Sequence, residues 1–400
     1  MPPSLAVNFA GVCMPNPFML ASAPPTTTTE MVDRCFRQGW GGAVLKTLTY
    51  QVSLSSNVTP RIAAYKDGDE ILGFTNCELG TPHTIEEWAE DTYKLKKKWP
   101  DRGVFVSLLH TEGLFENQWR EVARMFTEAG ADGFELNFSC SHGMAEAGGG
   151  ASIGSSDELV EKVASWVVTE TSKPVMTKLP AMVNDLPGKA KAAQRAGAAA
   201  VSTINTLNSL PGIDIRTFSP LNSVDGLGAF QGLSGRAIKP VALRSVAQVA
   251  SAVNIPISGI GGIYKWQDAV EFILAGASSL QICSAVMEYG YRIIGDLCAG
   301  LLNYMEEMGF SGIGDFVGKA LPNIKKHHDL SRSYRVKASA DDSCVGCGRC
   351  VASCADSGYK AISLDEARKA VFDSESCDGC GLCSHVCPVR GCITLRKEAV

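Results

Sequence analysis

The 400-residue sequence lacks an apolar run long enough to span a membrane, and its beginning has neither a basic stretch nor a continuous apolar core. It also lacks a block of basic residues, and its formal net charge is −5. A signal peptide, a membrane partner and a nucleic-acid partner are therefore not expected. We predict a protein of the reducing cytoplasm, where cysteines stay free to bind metals or to act in catalysis.

The first three quarters of the sequence alternate short apolar runs with patterns of helical spacing. The predicted strands are residues 18–22, 42–48, 104–109, 134–139, 175–179, 199–204, 255–260 and 280–284. The predicted helices are residues 84–98, 118–129, 158–171, 187–196, 238–253 and 266–275. Eight strands with intervening helices predict a parallel (β/α)8 TIM barrel, and the alternative is an open doubly wound sheet. We assign residues 1–321 to the barrel, 322–336 to a linker and 337–400 to a small second domain.

Polar and small residues follow the predicted strands. They are Lys46, Thr47, Asn137, Ser139, Cys140, Lys178, Asn205, Thr206, Gly261, Gly262, Cys283 and Ser284. Barrel enzymes place catalytic groups at the carboxyl ends of their strands and bind phosphate with the loops after strands seven and eight. Two adjacent glycines after the seventh strand can present backbone N–H groups to an anion, although such a pair also occurs in ordinary tight turns.

Cys140 is the candidate acid–base residue, because it lies beside Ser139 and His142 where a buried strand becomes a polar loop. Each of these assignments has a simpler alternative. Cys140 could be an inert packed thiol, and His142 a solvated loop residue. Lys46 and Lys178 could extend their ammonium groups into water, although a lysine at a barrel mouth more often has an anionic partner.

The cysteines are concentrated near the end of the sequence. Eight of the 15 form two copies of the run Cys-x-x-Cys-x-x-Cys-x-x-x-Cys, which is typical of proteins that bind two [4Fe–4S] clusters. In such runs the fourth cysteine binds the other cluster. The predicted ligand sets are Cys344, Cys347, Cys350 and Cys387 for the first cluster, and Cys377, Cys380, Cys383 and Cys354 for the second. Zinc is the alternative metal, and Cys392 falls outside the pattern.

The whole chain resembles the bacterial NAD-dependent dihydropyrimidine dehydrogenases, in the subunit that joins an FMN barrel to a two-cluster ferredoxin domain. The barrel alone is similar to dihydroorotate dehydrogenases. The most specific matching segments, besides the two cysteine runs, are Leu45-Lys46-Thr47, Asn76-Cys77-Glu78, Asn137-Phe138-Ser139-Cys140, Lys178-Leu179-Pro180, Ile204-Asn205-Thr206, Leu233 to Pro240 and Gly261-Gly262.

The resemblance implies a role for each matching residue. FMN contacts are implied for Ala21, Ser22, Lys46, Thr47, Asn137, Lys178, Gly235, Gly261, Gly262, Cys283 and Ser284. Pyrimidine contacts are implied for Asn76, Glu78, Asn137, Ser139, Asn205 and Thr206, and we add His142 to this set. Cys140 matches the cysteine that serves as the acid in the family. Glu78 could instead be only a surface charge or an ion-pair partner.

The implied reaction is reduction of the C5=C6 bond of uracil or thymine, or its reverse. Since no Gly-x-Gly-x-x-Gly motif follows a first strand, NAD(P)H is expected to act through an FAD- and NAD-binding partner subunit, in a homodimer or a heterotetramer. Ser141 and Gly80 depart from the family pattern, as does the glycine-rich segment 145–153. The alternatives are dihydroorotate or another conjugated cyclic substrate, and a non-catalytic electron-transfer subunit.

Overall fold

The computed structural model describes residues 2–49, 57–110, 115–140 and 148–399. The chain divides into two compact units, Met1–Asn323 and Ile324–Val400. Within the described ranges, no helix is long and apolar enough to cross a membrane.

The first unit contains fifteen of the strands and ten of the helices that can be placed within the described residues. Its strands are β1 Val7–Phe9, β2 Val12–Met14, β3 Phe18–Leu20, β4 Gly42–Val44, β5 Leu48–Thr49, β6 Ile62–Asp67, β7 Glu70–Asn76, β8 Gly103–Leu109, β9 Gly133–Asn137, β10 Val175–Leu179, β11 Ala200–Thr203, β12 Leu207–Ser209, β13 Gln231–Ser234, β14 Ile257–Ile260 and β15 Ser279–Ile282. Its helices are α1 Thr29–Arg37, α2 Ile85–Lys98, α3 Glu116–Glu128, α4 Ala151–Gly154, α5 Asp157–Val168, α6 Leu186–Arg195, α7 Lys239–Ala250, α8 Trp266–Leu274, α9 Ser284–Tyr289 and α10 Ile293–Met308.

Eight parallel strands close into a barrel in the order β3, β4, β8, β9, β10, β11, β14 and β15. The last of these pairs with the first, through Leu280 beside Phe18, so that the sheet has no open edge. This closure confirms the predicted TIM barrel and excludes the open doubly wound sheet. Each of the eight strands overlaps one of the apolar runs identified in the sequence.

The second predicted strand, residues 42–48, is shorter than expected. It is divided into β4 and β5, because the Lys46 N–H leaves the sheet and donates to the carbonyl of Thr26 at 3.1 Å. The interruption turns the side chains of Lys46 and Thr47 toward the end of the barrel, where both become buried.

Local signals position the outer helices. Thr84 begins α2 with a capping box in which its hydroxyl accepts from the Glu87 N–H and the Glu87 carboxylate accepts from the Thr84 N–H. Ser156 caps α5 in the same way through the Leu159 N–H. The helices bury their apolar faces, among them Trp88, Trp119 and Phe126, against the strands.

The hairpin β1–β2 packs against the beginnings of the barrel strands. Phe9 and Met14 form a buried cluster with Met19, Phe105 and other residues of the barrel interior. Gly42 and Gly103 allow this close approach, since a Cβ on either would lie 2.7–2.8 Å from the Met14 sulfur. The hairpin therefore fills the end of the barrel opposite the carboxyl ends of the strands.

A small antiparallel sheet, in the order β12, β13, β7 and β6, lies beside the carboxyl ends. Gly232 of β13 pairs with Asn76 of β7. Gly73 and Gly235 make the close contact of β7 with the end of β13 possible, because a Cβ on either would overlap the facing backbone. This sheet brings the segment around Asn76 next to the segment around Gly235.

Within its described residues, the second unit contains two antiparallel strand pairs and two α-helices. These are β16 Tyr334–Ala340, α11 Arg349–Asp356, β17 Ile362–Leu364, β18 Ala370–Phe372, α12 Leu382–Val386 and β19 Ile393–Ala399. Strand β16 pairs with β19, and β17 pairs with β18. β16 begins inside the segment that the sequence assigned to the linker, residues 322–336. Three of the six buried residues of its core are cysteines, namely Cys350, Cys383 and Cys392.

Candidate active site and cysteine cavities

A cavity that is partly open to solvent lies at the carboxyl ends of the barrel strands, where barrel enzymes place their active sites. It is lined by almost all of the described residues that the sequence assigned to the site. These are Ala21, Ser22, Lys46, Thr47, Asn76, Glu78, Asn137, Cys140, Lys178, Asn205, Thr206, Gly235, Gly261, Gly262, Cys283 and Ser284. Ser139 lies just behind this lining, and His142 lies outside the described residues.

Asn137, at the end of β9, is the centre of a hydrogen-bond network. Its Oδ1 accepts from the Ser139 hydroxyl at 2.9 Å and from the Asn205 Nδ2 at 3.4 Å. Its Nδ2 donates to the Thr47 hydroxyl at 3.3 Å. The Asn205 Nδ2 also donates to the Ser139 hydroxyl at 3.0 Å. The Asn205 Oδ1 accepts from the Thr206 N–H at 2.8 Å. Residues from three strand ends are thereby held in fixed orientations.

The segment 76–78 is fixed from the small sheet. The Asn76 Nδ2 donates to the Gly232 carbonyl at 3.0 Å, and its Oδ1 accepts from the Glu78 N–H at 3.2 Å. A carboxamide can donate two hydrogen bonds and accept two or more. Asn76 therefore keeps hydrogen-bonding capacity beyond these two contacts within the described part of the chain.

Lys46 forms a buried ion pair with Glu78 at 2.9 Å, and Arg61 also contacts the Glu78 carboxylate. Burial by itself raises the pKa of Glu78, but the two cations outweigh this effect and hold its pKa below the usual value. The anionic partner expected for Lys46 is thus a residue of the chain. No pattern in the sequence marks Arg61 as a residue of the site.

Lys178 faces a second buried carboxylate, that of Glu135 in β9, at 3.4 Å. Glu135 is fully buried, and its other oxygen accepts from the Ser202 hydroxyl and from the Gln281 Nε2, both at 2.8 Å. Lys178 and Gln281 line the cavity, so Glu135 orients two side chains of the lining without lining the cavity itself. Glu135 and Gln281 are not among the predicted site residues. A charged residue inside the apolar run of β9 could have indicated that Glu135 has a buried partner.

Gly261 and Gly262 leave β14 with φ values of +121° and +79°, which favour glycine. A Cβ on Gly261 would lie 2.8 Å from the Ala242 Cβ, and one on Gly262 would lie 2.6 Å from the Lys239 Cβ. The two glycines therefore serve the packing of α7 as well as the surface of the cavity. Nearby, the Ser284 hydroxyl donates to that of Ser234 at 2.9 Å.

Cys140 is 8% exposed and packs against Leu79 and Leu109. Its carbonyl accepts from the Ala151 N–H at 2.9 Å, where α4 begins. Cys283, on the other side of the cavity, is half-buried, and desolvation raises the pKa of its thiol to about 12. Cys283 therefore remains a neutral thiol at physiological pH.

Two buried polar atoms of the cavity lining are available to a bound molecule. The Gln281 Oε1 and the Tyr264 hydroxyl have no hydrogen-bond partner among the residues that can be described. Burying such a group without a partner costs about 1–3 kcal/mol, so a polar ligand that bonded to them would remove this cost. The glycine pair and these two atoms suit a polar cofactor.

The second unit contains two small cavities, and each brings together the four cysteines of one predicted combination. The first cavity is lined by Cys344, Cys347, Cys350 and Cys387, and the second cavity by Cys354, Cys377, Cys380 and Cys383. Backbone N–H groups of Gly346 and Ala370 lower the pKa of the Cys344 thiol, which favours the thiolate that a metal binds. Within the described ranges, no group of His, Cys, Asp or Glu side chains is arranged to hold a single metal ion.

Comparison with known proteins gives the family. A family model described as dihydroorotate dehydrogenase matches residues 4–305, and one described as a 4Fe-4S dicluster domain matches residues 338–395. The NAD-dependent dihydropyrimidine dehydrogenase subunit PreA of Escherichia coli K12 is 41% identical over 401 aligned residues, covering 98% of this chain and 95% of that protein.

Two further relatives cover mainly the barrel. The chloroplastic dihydropyrimidine dehydrogenase (NADP(+)) of Arabidopsis thaliana is 34% identical over 345 residues, 83% of this chain and 80% of that protein. The catalytic subunit of dihydroorotate dehydrogenase B (NAD(+)) of Pyrococcus abyssi is 37% identical over 320 residues, 79% of this chain and 99% of that protein. The iron–sulfur prediction is confirmed over zinc by the match of the second unit. The chain belongs to the dihydroorotate dehydrogenase family of flavin oxidoreductases and carries a C-terminal 4Fe-4S dicluster domain.

Proposed function

We propose that this chain is the catalytic subunit of a dihydropyrimidine dehydrogenase, which reduces the C5=C6 bond of uracil or thymine or catalyses the reverse reaction. The observation that carries the proposal is the set of three carboxamides, Asn76, Asn137 and Asn205, that line one cavity together with the Cys140 thiol. The similarity to the PreA subunit over nearly the full length of both chains supports it.

The carboxamides suit a pyrimidine ring because its edge alternates carbonyl acceptors with N–H donors. An asparagine side chain offers a donor and an acceptor side by side and can match two adjacent positions of that edge. The contacts among Asn137, Ser139 and Asn205 fix which atom of each amide points toward the cavity. Recognition by groups that are already oriented loses little conformational entropy on binding.

Cys140 is proposed to donate the proton to C5 of the substrate. Its side chain packs against Leu79 and Leu109 and lines the cavity, and a positioned thiol can serve as a general acid. The carbonyl of Cys140 is anchored to the first residue of α4, so the thiol is presented from a fixed backbone. Its neighbours Ser141 and His142 fall outside the described residues.

FMN is the flavin that the lining fits, with Lys46, Lys178 and Thr47 at one part of the cavity and Gly235, Gly261, Gly262 and Ser284 at another. When bound, FMN supplies the hydride that C6 of the substrate receives. Lys178 brings a positive charge that Glu135 holds in place, and Lys46 is held by Glu78.

Electrons are proposed to reach the barrel from a partner subunit by way of the two cysteine-bound clusters. The partner would bind FAD and oxidise NADH or NADPH, because this sequence has no dinucleotide-binding motif. The PreA protein is named as a subunit of its enzyme, which supports an assembly with a second kind of subunit. We propose a homodimer of this chain or a heterotetramer with the partner.

Dihydroorotate is the second candidate substrate, because the barrel matches dihydroorotate dehydrogenases over 302 positions, residues 4–305. A carboxylate substrate is bound more strongly where a cation of the site is free to pair with it. The lysines that line the cavity, Lys46 and Lys178, are each paired with a carboxylate of the chain. A neutral pyrimidine is therefore the better match to this lining.

Anaerobic titration of the purified chain tests the proposal. Uracil, thymine, dihydrouracil and dihydroorotate are added separately while the flavin absorption spectrum is recorded. We expect uracil and thymine to perturb the oxidised flavin spectrum and dihydrouracil to bleach it, with no response to dihydroorotate. Bleaching by dihydroorotate alone would identify the second candidate as correct.

Turnover with a chemical reductant separates catalysis from electron entry. We expect uracil reduction by this chain alone when a low-potential dye supplies electrons, and no oxidation of NADH or NADPH without the partner. A chain that binds flavin but neither reduces uracil or thymine nor oxidises dihydrouracil or dihydroorotate would support the non-catalytic electron-transfer alternative. Rapid flavin reduction by NADH alone would contradict the need for a partner.

A further inference from the structure

The first cavity contains a fifth cysteine that the repeated motif does not include. Cys392 lines it together with Cys344, Cys347, Cys350 and Cys387, and its side chain is only 1% exposed. Cys344 and Cys387 belong to the same packed cluster as Cys392. Cys392 therefore lies in the cavity that brings the four predicted ligands of the first cluster together.

The second cavity has an alanine at the equivalent position. Ala361 lines that cavity, is 2% exposed and directly precedes strand β17, just as Cys392 directly precedes β19. The carbonyl of Ala361 accepts from the Asp373 N–H at 2.8 Å, and that of Cys392 accepts from the Asp341 N–H at 3.0 Å. Each aspartate begins the neighbouring cysteine run, where its own carbonyl accepts from the N–H of the first cysteine.

The equivalence of Ala361 and Cys392 shows which property of Cys392 the packing needs and which it does not. Since an alanine methyl group fills the same place in the second cavity, the fold does not require a sulfur atom there. What Cys392 adds to the first cavity is a thiol, and a thiol becomes a ligand of iron once it loses its proton. The difference is confined to one half of an otherwise duplicated unit.

We propose that Cys392 is a reserve ligand of the first cluster, able to replace Cys387 as its fourth thiolate. In the exchange the iron–sulfur bond to Cys387 breaks, the Cys392 thiol loses its proton to water, and its sulfur forms the new bond to the same iron. The Cys387 thiolate takes up a proton in turn, so that charge is balanced and nothing is oxidised or reduced. The second cluster has no such reserve.

The backbone arrangement makes the exchange a short movement. Cys387 and Cys392 are separated by four residues that end at Gly391, whose φ of +82° turns the chain back toward the cavity. The Cys392 N–H donates to the Val389 carbonyl at 3.3 Å, and its carbonyl is held by Asp341. Because Cys387 and Cys392 line the same cavity, the exchange requires movement of side chains within that cavity and leaves the pairing of β19 in place.

The iron content of single and double variants tests this proposal. Full-length chains with Cys387→Ala, Cys354→Ala and Cys387→Ala/Cys392→Ala are purified anaerobically, and iron and acid-labile sulfide are counted. We expect about eight irons in Cys387→Ala, as in the wild type, but about four in Cys354→Ala and in the double variant. The electron paramagnetic resonance spectrum of reduced Cys387→Ala should still contain two interacting clusters.

The reciprocal change provides a matched control. Adding Ala361→Cys to Cys354→Ala gives the second cavity the thiol that only the first cavity has, and we expect it to restore the iron content from about four to about eight. If a variant does not accumulate with its clusters, the same count is made after the purified full chain is reconstituted with ferrous iron and sulfide. Equally low iron in Cys387→Ala and in Cys387→Ala/Cys392→Ala would overturn the proposal.

Discussion

The two units of this chain build their sites in opposite ways. The barrel collects its site from residues that are far apart in the sequence, such as Thr47, Asn137 and Asn205, and it holds them on a large apolar core that does not need them. The second unit collects its ligands from two short runs, and those same ligands form much of its core. Site and scaffold are separate in the first unit and nearly identical in the second.

The difference has a consequence for stability. Loss of a ligand from the barrel mouth leaves the apolar interior, including Phe105 and Phe134, in place. Loss of the clusters from the second unit removes the groups that link its two halves and leaves cavities between cysteines. A small domain with few buried apolar side chains depends on such links.

The largest effect is expected from the removal of iron. Treatment with a strong chelator under reducing conditions should unfold residues 324–400, because metal binding supplies the free energy of folding in small metal domains. The barrel should stay folded. All 6 tryptophans lie in the first unit, so their fluorescence reports on the barrel alone, while amide hydrogen exchange reports on the second unit.

A matched experiment removes the flavin instead. The flavin-free chain should keep both its tryptophan fluorescence and the protected amides of residues 324–400. If the second unit kept its protected amides after complete loss of iron and sulfide, the contrast between the units would be wrong.

The next effect concerns the reaction of the barrel. Cys140→Ala should lower turnover of uracil by about 10²–10⁴-fold, which is the usual contribution of general acid–base catalysis. Flavin content and uracil affinity should change little, because the proton transfer occurs only in the transition state. Cys140→Ser should retain part of the activity. Both are measured with a chemical reductant and by flavin difference spectra.

Cys13→Ala, in the hairpin at the other end of the barrel, is the control and should behave as the wild type. Near-normal turnover of Cys140→Ala would mean that the acid lies elsewhere, with His142 and Ser152 as the next candidates. Equal loss of binding and turnover would instead mean that Cys140 shapes the cavity and donates no proton.

The contrast between the units also explains what could be predicted from the sequence. The ligands of the second unit follow from spacing alone, because a short loop can deliver three thiolates whatever the rest of the fold does. The eight barrel strands follow from apolar runs, and Lys46 and Lys178 could be selected because they end such runs. The carboxyl ends of all eight strands lie at the same end of a barrel, so these residues could be expected to lie close together.

The partners of those lysines could not be predicted. The pairing of Lys46 with Glu78 depends on the small sheet that returns β7 to the barrel mouth. The contact of Glu135 with Gln281 joins residues 146 positions apart. The division of residues 42–48 into two strands likewise depends on a hydrogen bond to Thr26 in another loop. Contacts of this kind leave no local pattern in the sequence.

A smaller effect is the pH dependence of the stability of the barrel, which is not expected in the second unit. His110 is 5% exposed and lies against Trp119, and burial lowers its pKa from 6.5 to about 4. The folded barrel therefore favours neutral His110, and the unfolded chain binds the proton first. The contribution of His110 to the free energy of unfolding is fully present above pH 6.5. It falls as the pH drops toward 4, by about 3 kcal/mol in total.

This dependence is measured as the urea midpoint of tryptophan fluorescence at several pH values. His110→Phe should lose the part of the pH dependence between 6.5 and 4, whereas His328→Gln, an exposed residue of the second unit, should keep it. An unchanged slope in His110→Phe would show that other groups produce the dependence. The protection of amides in the second unit should depend on iron far more than on this pH range.

The smallest effect concerns the buried carboxylate of Glu135. It contacts Lys178 at 3.4 Å and Gln281 at 2.8 Å, and both of these residues line the cavity. Glu135→Gln removes one negative charge while it keeps the size of the side chain and its bonds to Ser202. The positive charge of Lys178 is then no longer offset, and a reduced, anionic flavin is stabilised relative to the oxidised form.

We expect the midpoint potential of the bound flavin to rise by about 30 mV, which corresponds to about 1.4 kcal/mol for a two-electron couple. Sulfite, which adds to electron-poor flavins, should also bind more tightly. Glu135→Asp keeps the charge and should leave the potential near that of the wild type, even if its shorter side chain loosens the contact with Lys178. A lower flavin potential in Glu135→Gln would mean that Lys178 loses its proton together with its partner, so that the pair acts on the flavin as a neutral unit.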